Sequence, residues 1–343
     1  MSRAIEKDVA ASLEKGNAIE AYKEISEILN PVTGGYELEI LGKAHPLPPG
    51  TNVLKDGPAA GISKLALVQA FLVAHKILSE HIRGPAPKTD EELLAATSVA
   101  LLMDPEHLTA ANIRKRIITA RVSPGEHRDG SVLQQEKSFI DAFLKGRLHR
   151  HTKSPTLWSH RRWLMTVSKS AGCGWIHPSA GDLDLTTVMV AAERHPMNYY
   201  AWTHARWLIK SISHDSFLMR RYGRSVMYGV KEWCLKHHTD VSGWSFLQHV
   251  LTLEGWPAEL QNAPIAIYTE VLDRVMTFRW AGEAVWSFLR TLAASGVVGE
   301  DGVGSFMKVA AMLKKTLPPG VQDWNTLDNA ESWCRQYERK SET

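Results

Sequence analysis

Tryptophan recurs at nearly constant spacing along this 343-residue chain, and the spacing limits what the chain can fold into. The recurring tryptophans, at intervals of 44, 42 and 42 residues, are Trp158, Trp202, Trp244 and Trp286. A related segment, PEHLTAANIRKRII, has Ala111 in the tryptophan position, 47 residues before the first of them. Five related units therefore occupy roughly residues 90–300, and self-similarity at a fixed period is typical of repeat architectures.

The length of the repeat predicts a pair of helices. A period of 42–47 residues suits two helices of about 12–18 residues with generous connections. Pro155, Pro196 and Gly243 stand just before the tryptophan helices, where turns and helix starts fall. We therefore predict an all-α fold, an α-α superhelix (solenoid) of about five TPR-like helical hairpins. The tryptophan-bearing helices are predicted to begin near residues 109, 155, 199, 242 and 284.

The repeated tryptophans are interpreted as structural. A large aromatic ring buries much apolar surface, while its N–H finds a polar partner. We expect the four rings to lie in the core between repeats and to define the fold, and we do not expect them to act as site residues.

The N-terminal part of the chain has a different character. Residues 1–28 alternate apolar and charged positions at helical spacing, whereas residues 31–63 are rich in Gly and Pro around one β-like run, ELEIL. We interpret residues 31–63 as an irregular segment that holds one hairpin. The predicted organisation is an N-terminal helix plus irregular segment over residues 1–62, followed by the repeat solenoid over residues 63–343.

Composition limits the compartment and the kind of partner. The net charge of +3 is too small to indicate a nucleic-acid-binding protein, so no nucleic-acid partner is expected. Three cysteines, Cys173, Cys234 and Cys334, form no C-x-x-C pair, so we expect a reducing, cytoplasmic setting and no metal site on this chain. No run of about 20 apolar residues is present, so no membrane span is expected. The charged N-terminal sequence does not read as a secretory signal, and without a terminal C-a-a-X box the chain is not expected to be a prenylation substrate of that type.

The most basic stretch of the chain leads into the first tryptophan helix. Residues 145–162, KGRLHRHTKSPTLWSHRR, contain six Lys or Arg residues, three histidines and no acidic residue. Cations at the start of a helix suit an anionic ligand such as a diphosphate, because side-chain charge adds to the helix N–H groups. The alternative is a solvated basic face that pairs with acidic residues of neighbouring helices. Signatures of other enzyme classes, including G-x-x-x-x-G-K-[ST], G-x-S-x-G, H-E-x-x-H and D-D-x-x-D, are absent from the sequence.

Two of the repeat segments, NYYAWTHAR (198–206) and SPTLWSHRR (154–162), resemble the repeat of protein prenyltransferase α subunits. The resemblance covers about 200 residues and is greatest to the prenyltransferase α-subunit repeat-containing protein type. In that family the α subunit is a crescent of helical hairpins around a β subunit that holds the catalytic zinc and the isoprenoid pocket. The resemblance implies a partner β subunit, of the Rab geranylgeranyltransferase type, and no cofactor on this chain.

The family's diphosphate-contacting residues stand at fixed offsets from the repeat tryptophans. By resemblance, Lys153, five residues before Trp158, and Tyr199, three before Trp202, are expected to be catalytic. Tyr200 occupies a position that holds histidine in the family, and a phenol cannot carry its positive charge near neutral pH. Three arginines, expected either to support the diphosphate or to tie adjacent hairpins together, are Arg161, Arg162 and Arg206.

Two functions are compatible with these observations. The first is an α-type subunit of a heterodimeric protein prenyltransferase, inactive alone. With its partner it would assist transfer of a geranylgeranyl or farnesyl group from its diphosphate to a cysteine thiol near the C-terminus of a protein substrate. The second is a non-catalytic α-solenoid scaffold that binds a protein on its concave face.

Overall fold

The computed structural model of the protein describes residues 17–29, 37–42, 45, 47–48, 50–84, 87–122, 130–172 and 183–337. The chain divides into two compact units, Met1–Ile176 and His177–Thr343. Within the described residues the units contain fifteen α-helices and one three-stranded sheet. The predicted all-α fold of stacked helical hairpins is confirmed, while the predicted division at residue 62 stays a prediction.

The first unit is mostly helical. Its described helices are α1 Ala18–Ile28, α2 Lys64–Arg83, α3 Asp90–Met103, α4 Leu108–Arg121, α5 Gly130–Leu144, the single turn α6 His149–Thr152, and α7 Pro155–Ser170. Consecutive helices pack together, α1 on α2, α2 on α3 and α3 on α4, while α5 packs on α7. The pairs α3–α4 and α5–α7 are the first two predicted hairpins.

A small sheet lies between α1 and α2 in the chain. Its strands, β1 Glu37–Leu41, β2 Val53–Asp56 and β3 Ala59–Ser63, are ordered β1-β3-β2. The hairpin predicted in this segment is β2–β3, whose two-residue turn places Gly57 at a φ of 52°, a conformation that glycine adopts without steric cost. β1 is the ELEIL run, and it pairs with β3 in parallel. This parallel pairing was not predicted, because pairing across a long connection leaves no local signal in the sequence.

The second unit contains eight described α-helices. They are α8 Leu185–Arg194, α9 Tyr199–Ile212, α10 Ser216–Lys236, α11 Val241–Leu251, α12 Ala263–Phe278, α13 Glu283–Ala294, α14 Gly299–Lys314 and α15 Gln322–Tyr337, with one 3₁₀ turn at Ala258–Leu260. Two layers run through this unit. α9, α11, α13 and α15 pack on one another in sequence, and α10, α12 and α14 do the same. The pairs α8–α9, α10–α11 and α12–α13 are the remaining predicted hairpins, and α14–α15 adds a pair that lacks the tryptophan repeat.

The predicted helix starts are confirmed. The tryptophan-type helices begin at residues 108, 155, 199, 241 and 283, each within one residue of the prediction. In every repeat the N-cap residue lies four positions before the tryptophan position. These N-caps are His107, Ser154, Asn198, Asp240 and Gly282. The first four accept a hydrogen bond from a backbone N–H of the first turn, which satisfies a donor that the helix leaves open.

The four repeat tryptophans are buried, as predicted. The indole N–H of Trp158, Trp244 and Trp286 donates to the carbonyl six residues earlier, at distances of 2.8, 3.0 and 2.8 Å. In the second unit, Trp202 packs on Phe246, and Trp244 on Phe288, with ring centroids 5.2 and 4.9 Å apart. Each tryptophan therefore contacts a ring that stands two residues after the next repeat tryptophan, so the aromatic residues join adjacent repeats.

Three further expectations concern the N-terminal helix, the cysteines and a membrane span. The predicted N-terminal helix is observed from Ala18, and its predicted earlier part, together with Cys173, lies outside the described residues. The side chains of Cys234 and Cys334 are buried. Among the described helices, Lys64–Arg83 alone is long and apolar enough to cross a membrane. This is weak evidence for a membrane span, because core helices of soluble proteins are often as long and as apolar.

Candidate functional site

Lys153 lies in a tight connection between two helices of the first unit. It is the C-cap of α6, and the next residue, Ser154, is the N-cap of α7. The carbonyl of Thr152 accepts the indole N–H of Trp158 at 2.8 Å, which fixes the connection to the core of the repeat. Lys153 is half-buried and directly precedes the N-cap of α7, at the helix end where the dipole adds positive potential. This position can bind an oxyanion.

Other cations of the basic stretch have acidic partners. Arg147 lies 2.9 Å from Glu37, and Arg150 lies 3.0 Å from Asp104. Both arginine side chains are exposed, so these pairs contribute little to stability. The alternative interpretation, a solvated face paired with acidic neighbours, therefore describes this part of the stretch.

Arg161 is fully buried in the first unit. Its Nε donates to Oδ1 of Asp141 at 2.7 Å, and Lys137 contacts the other carboxylate oxygen at 2.6 Å. Burial alone would raise the pKa of Asp141, but the two cations outweigh burial and hold the pKa at about 2. This contact joins α7 to α5, the two helices of one hairpin, so a contact of Arg161 between adjacent hairpins stays a prediction. Arg162, the next residue, is half-buried, and contact of either arginine with a diphosphate stays a prediction.

A second buried ion pair, which we did not predict, involves the corresponding arginine of the preceding repeat. Arg114 donates through Nε and Nη2 to the carboxylate of Glu136, at 2.9 and 2.6 Å. His160 lies 2.9 Å from the same carboxylate. Burial would raise the pKa of Glu136, but Arg114 and His160 outweigh it and hold the pKa at about 2. The sequence contains a signal for this second arginine, because Arg114 and Arg161 each stand three residues after the tryptophan position of their repeat.

In the second unit, Tyr199 and Tyr200 are presented by a constrained turn. They open α9 directly after Asn198, whose side chain caps the helix. Met197 has a φ of 58°, an uncommon conformation for a residue other than glycine, and its N–H donates to Oδ2 of Asp240 at 2.7 Å. Tyr199 is 65% exposed, and its ring meets that of Tyr200 edge to face at 5.6 Å. The phenol of Tyr199 is therefore accessible as a hydrogen-bond donor.

Arg206 lies two helical turns after Tyr199 on the same side of α9. Its Nη2 donates to Oγ of Ser245 on α11 at 2.8 Å, and its guanidinium lies 6.0 Å from the centre of the Phe246 ring. Burial lowers the pKa of Arg206, and interaction with Tyr199 raises it. Burial also lowers the pKa of His249, and the charge of Arg206 lowers it further.

The predicted site residues therefore fall into two sets. Lys153, Arg161 and Arg162 belong to the first unit, whereas Tyr199, Tyr200 and Arg206 lie together in the second unit. Ser245 and His249, which α11 places beside Arg206, were not predicted from the sequence. No group of three or more His, Cys, Asp or Glu side chains among the described residues could hold a metal ion. Zinc on a partner subunit stays a prediction.

A family model matches the part of the chain that contains the first three repeat tryptophans. Residues 157–264 match the model described as the ECM9 middle domain. The match begins one residue before Trp158 and continues past Trp244, so it covers three of the four tryptophan helices.

Curated relatives carry names that agree with the resemblance. The chain is 29% identical over 182 residues to "Protein prenyltransferase alpha subunit repeat-containing protein 1" of Danio rerio, and 28% identical over 175 residues to the Homo sapiens protein of that name. These alignments cover 47% of this chain and 38% and 40% of the relatives, so the chain spans about two-fifths of their length. "Geranylgeranyl transferase type-2 subunit alpha" of Dictyostelium discoideum is 26% identical over 152 residues, which are 44% of this chain and 45% of that protein. These relatives confirm that the chain is similar, over about half of its length, to proteins of the prenyltransferase α-subunit repeat family.

Proposed function

We propose that this chain is an α-type subunit of a heterodimeric protein prenyltransferase. With a β subunit, of the Rab geranylgeranyltransferase type, it assists transfer of a geranylgeranyl or farnesyl group from its diphosphate to a cysteine thiol of a protein substrate. The observation that carries the proposal is the position of Lys153 and Tyr199. Each stands at the start of a tryptophan helix, at the offset that the family resemblance requires, and each retains solvent exposure.

The proposed roles of these residues follow from their chemistry. The Lys153 ammonium and the Tyr199 hydroxyl donate hydrogen bonds to the departing diphosphate, whose negative charge grows as the bond to the prenyl carbon breaks. Donors that are held in place before the reaction stabilise this charge without reorganisation, so they act on the rate of transfer more than on binding. Zinc on the β subunit would lower the pKa of the substrate thiol and supply the thiolate.

We also propose that the protein is cytoplasmic and that its activity depends on a partner subunit. The three cysteines are not arranged as a disulfide framework, which suits a cytoplasmic protein. The described part of the chain has no cluster of metal-binding side chains, so we expect the chain alone to transfer no prenyl group. The geranylgeranyl transferase relative is named as a subunit, which supports a β-subunit partner. No nucleic acid and no membrane span take part in the proposed function.

A second function, a non-catalytic scaffold, is favoured by Tyr200. This residue replaces the family's histidine and removes a group that could carry positive charge toward the diphosphate. Arg161 is also buried and paired with Asp141, so its guanidinium has a structural role in the first unit. Under this alternative the chain binds a protein partner and performs no chemistry.

Co-purification followed by mass spectrometry tests the subunit proposal. The full chain, tagged and expressed in its own cells, should retain a β-type prenyltransferase subunit in a 1:1 complex. The purified complex should transfer a prenyl group to a protein with a C-terminal cysteine, whereas the chain alone should not. Recovery of the chain with no β-type subunit, or transfer by the chain alone, would contradict the proposal.

A further inference from the structure

The N-terminal half of α10, in the second unit, has a strongly basic exposed face. Residues 216–230 contain three arginines and no acidic residue. The side chains of Arg220, Arg221 and Arg224 are all exposed. Nε of Arg220 lies 3.1 Å from Oε1 of Glu259, in an exposed pair that contributes little to stability. Arg221 and Arg224 have no carboxylate partner among the described residues.

These two arginines lie against aromatic rings of their own helix. The guanidinium carbon of Arg224 is 5.0 Å from the centre of the Tyr228 ring, and that of Arg221 is 5.9 Å from the centre of the Tyr222 ring. A guanidinium can stack on a ring and keep its in-plane N–H groups for an oxyanion. The described part of the chain supplies no acceptor for these N–H groups, so they are left for water or for an external anion.

An exposed apolar side chain belongs to the same face of α10. Phe217, in the first turn of the helix, is 60% exposed. Four residues at spacings of four, three and four positions lie along one side of the helix, and we call them the α10 stripe: Phe217, Arg221, Arg224 and Tyr228. The stripe therefore combines an exposed apolar ring with two cations.

The opposite side of α10 is fixed against the protein. A Cβ at Gly223 would lie 2.6 Å from the side chains of both Leu260 and Trp256, so a larger residue would not fit there without a shift. Tyr222 and Val226 are buried on this side of the helix. The stripe consequently faces away from the core and stands out as a ridge.

We propose that the α10 stripe is a docking surface for a membrane that contains anionic lipids. Anionic head groups attract Arg221 and Arg224, and the Phe217 ring enters the boundary between head groups and acyl chains. A ridge can meet a flat bilayer along its length, whereas an extended acidic peptide binds best in a groove. The contact is peripheral and needs no membrane span. It goes beyond the proposed function and does not rest on it, because no residue of the stripe belongs to the candidate functional site.

Vesicle sedimentation with the full chain tests the docking surface. The chain is mixed with phosphatidylcholine vesicles with and without phosphatidylserine, at low and at high salt. We expect binding to the phosphatidylserine vesicles alone, and weaker binding at high salt, because salt screens exposed charges. In parallel, poly-glutamate is titrated into the chain to test an acidic polypeptide as the partner.

Arginine variants determine whether the binding occurs at the stripe. Arg221→Gln combined with Arg224→Gln should weaken binding to the anionic vesicles about 30-fold, since each arginine near the surface contributes about 5-fold. The control, Arg279→Gln combined with Arg335→Gln, removes the same charge from exposed positions outside α10. This control should bind as the wild type does, and circular dichroism shows whether each variant is folded.

A phenylalanine variant tests the apolar part of the contact. Phe217→Ala should weaken binding to the anionic vesicles about 10-fold, because less apolar surface enters the bilayer. Phe278, on α12, is exposed to a similar degree, 56%. Phe278→Ala is therefore the matched control and should leave binding unchanged.

Several outcomes would overturn the lipid assignment. One is that the wild type shows no preference for phosphatidylserine vesicles, and another is that the wild type and the folded stripe variants bind equally. Binding of poly-glutamate without binding of anionic vesicles would assign the stripe to an acidic protein. Dependence on the two arginines but not on Phe217 would also contradict contact with a bilayer. None of these measurements involves prenyl transfer, so failure of this inference and failure of the proposed function are distinguishable.

Discussion

Asp240 and Met197 are joined across one repeat by a 2.7 Å hydrogen bond from the backbone N–H of Met197 to Oδ2 of Asp240. The other oxygen, Oδ1, caps α11 by accepting from the N–H groups of Ser242 and Gly243. One buried carboxylate therefore starts the helix of one repeat and holds the turn that presents Tyr199 in the repeat before it. Adjacent repeats are therefore joined by this hydrogen bond between a backbone N–H and a side chain, as well as by contacts between aromatic rings.

This double role predicts a large effect of removing the carboxylate. Asp240→Ala should destabilise the second unit by about 2–3 kcal/mol, because it removes a helix cap and leaves the N–H of Met197 without a partner. Asp215 caps α10 through its Oδ1 and serves as the control. Asp215→Ala should cost about 1 kcal/mol, the usual cost of losing a cap. Urea unfolding measures both, and equal losses would show that the contact with Met197 adds no stability.

The four repeat tryptophans should differ in their tolerance of phenylalanine. In Trp158, Trp244 and Trp286 the indole N–H donates to a carbonyl, whereas the buried N–H of Trp202 has no hydrogen-bond partner in the described structure. Replacement by phenylalanine opens a similar cavity in every case but removes a hydrogen bond in only three. We expect Trp202→Phe to be about 1 kcal/mol less destabilising than the other three. The same loss of stability in all four variants, measured by urea unfolding, would contradict this explanation.

The buried pair of Arg114 and Glu136 predicts a loss of stability in the first unit. Glu136→Gln should cost about 3–5 kcal/mol, because it leaves a buried guanidinium without its counter-charge. Arg121, on the next turns of α4, forms partly exposed pairs with Asp90 and Glu91. The control Arg121→Gln should cost no more than about 1 kcal/mol. Urea unfolding compares the two variants, and similar small losses would show that the buried pair is not structural.

The described fold also predicts a loss of stability in mild acid. Burial lowers the pKa of His151 to about 4, although Nε2 donates to backbone carbonyls of α3. A histidine kept neutral by the fold stabilises it above the unfolded pKa of about 6.5, and this contribution is lost as the pH falls toward 4. Between pH 6.5 and pH 4.5 the loss should be about 2–3 kcal/mol from His151 alone.

The contribution of His151 to stability and that of the buried carboxylates are lost in different pH ranges. Glu136 and Asp141 have pKa values held near 2, so their contribution is complete above about pH 4.5 and declines only below it. His151→Gln should therefore flatten the stability profile above pH 4.5 and leave the steeper decline below it. Thermal unfolding at several pH values tests this, and unchanged profiles in the variant would assign the acid sensitivity to other groups, such as His160.

Much of the fold could be predicted from the sequence because the repeat is local. The tryptophan period located five helix starts to within one residue, and each start is fixed by an N-cap four positions before the tryptophan position. The parallel pairing of β1 with β3 and the contact between Arg161 and Asp141 could not be predicted. Both depend on which distant segments pack together, and the sequence pattern within a repeat does not specify this.

The candidate site was only partly predictable for a related reason. Lys153 and Tyr199 were identified by their offsets from tryptophans, a relationship within one segment. Ser245 and His249 come from the next repeat, so their place beside Arg206 appears only when α9 and α11 are packed.

Single-turnover transfer by the complex with its β subunit tests the central claim most directly. Lys153→Ala and Tyr199→Phe should each slow transfer by about 10²–10³-fold, the usual effect of losing one donor to a developing negative charge. Assembly and thermal stability should be nearly unchanged, and the exposed controls Lys169→Ala and Tyr337→Phe should transfer at the wild-type rate. Wild-type rates in both site variants would contradict the catalytic account and favour the scaffold.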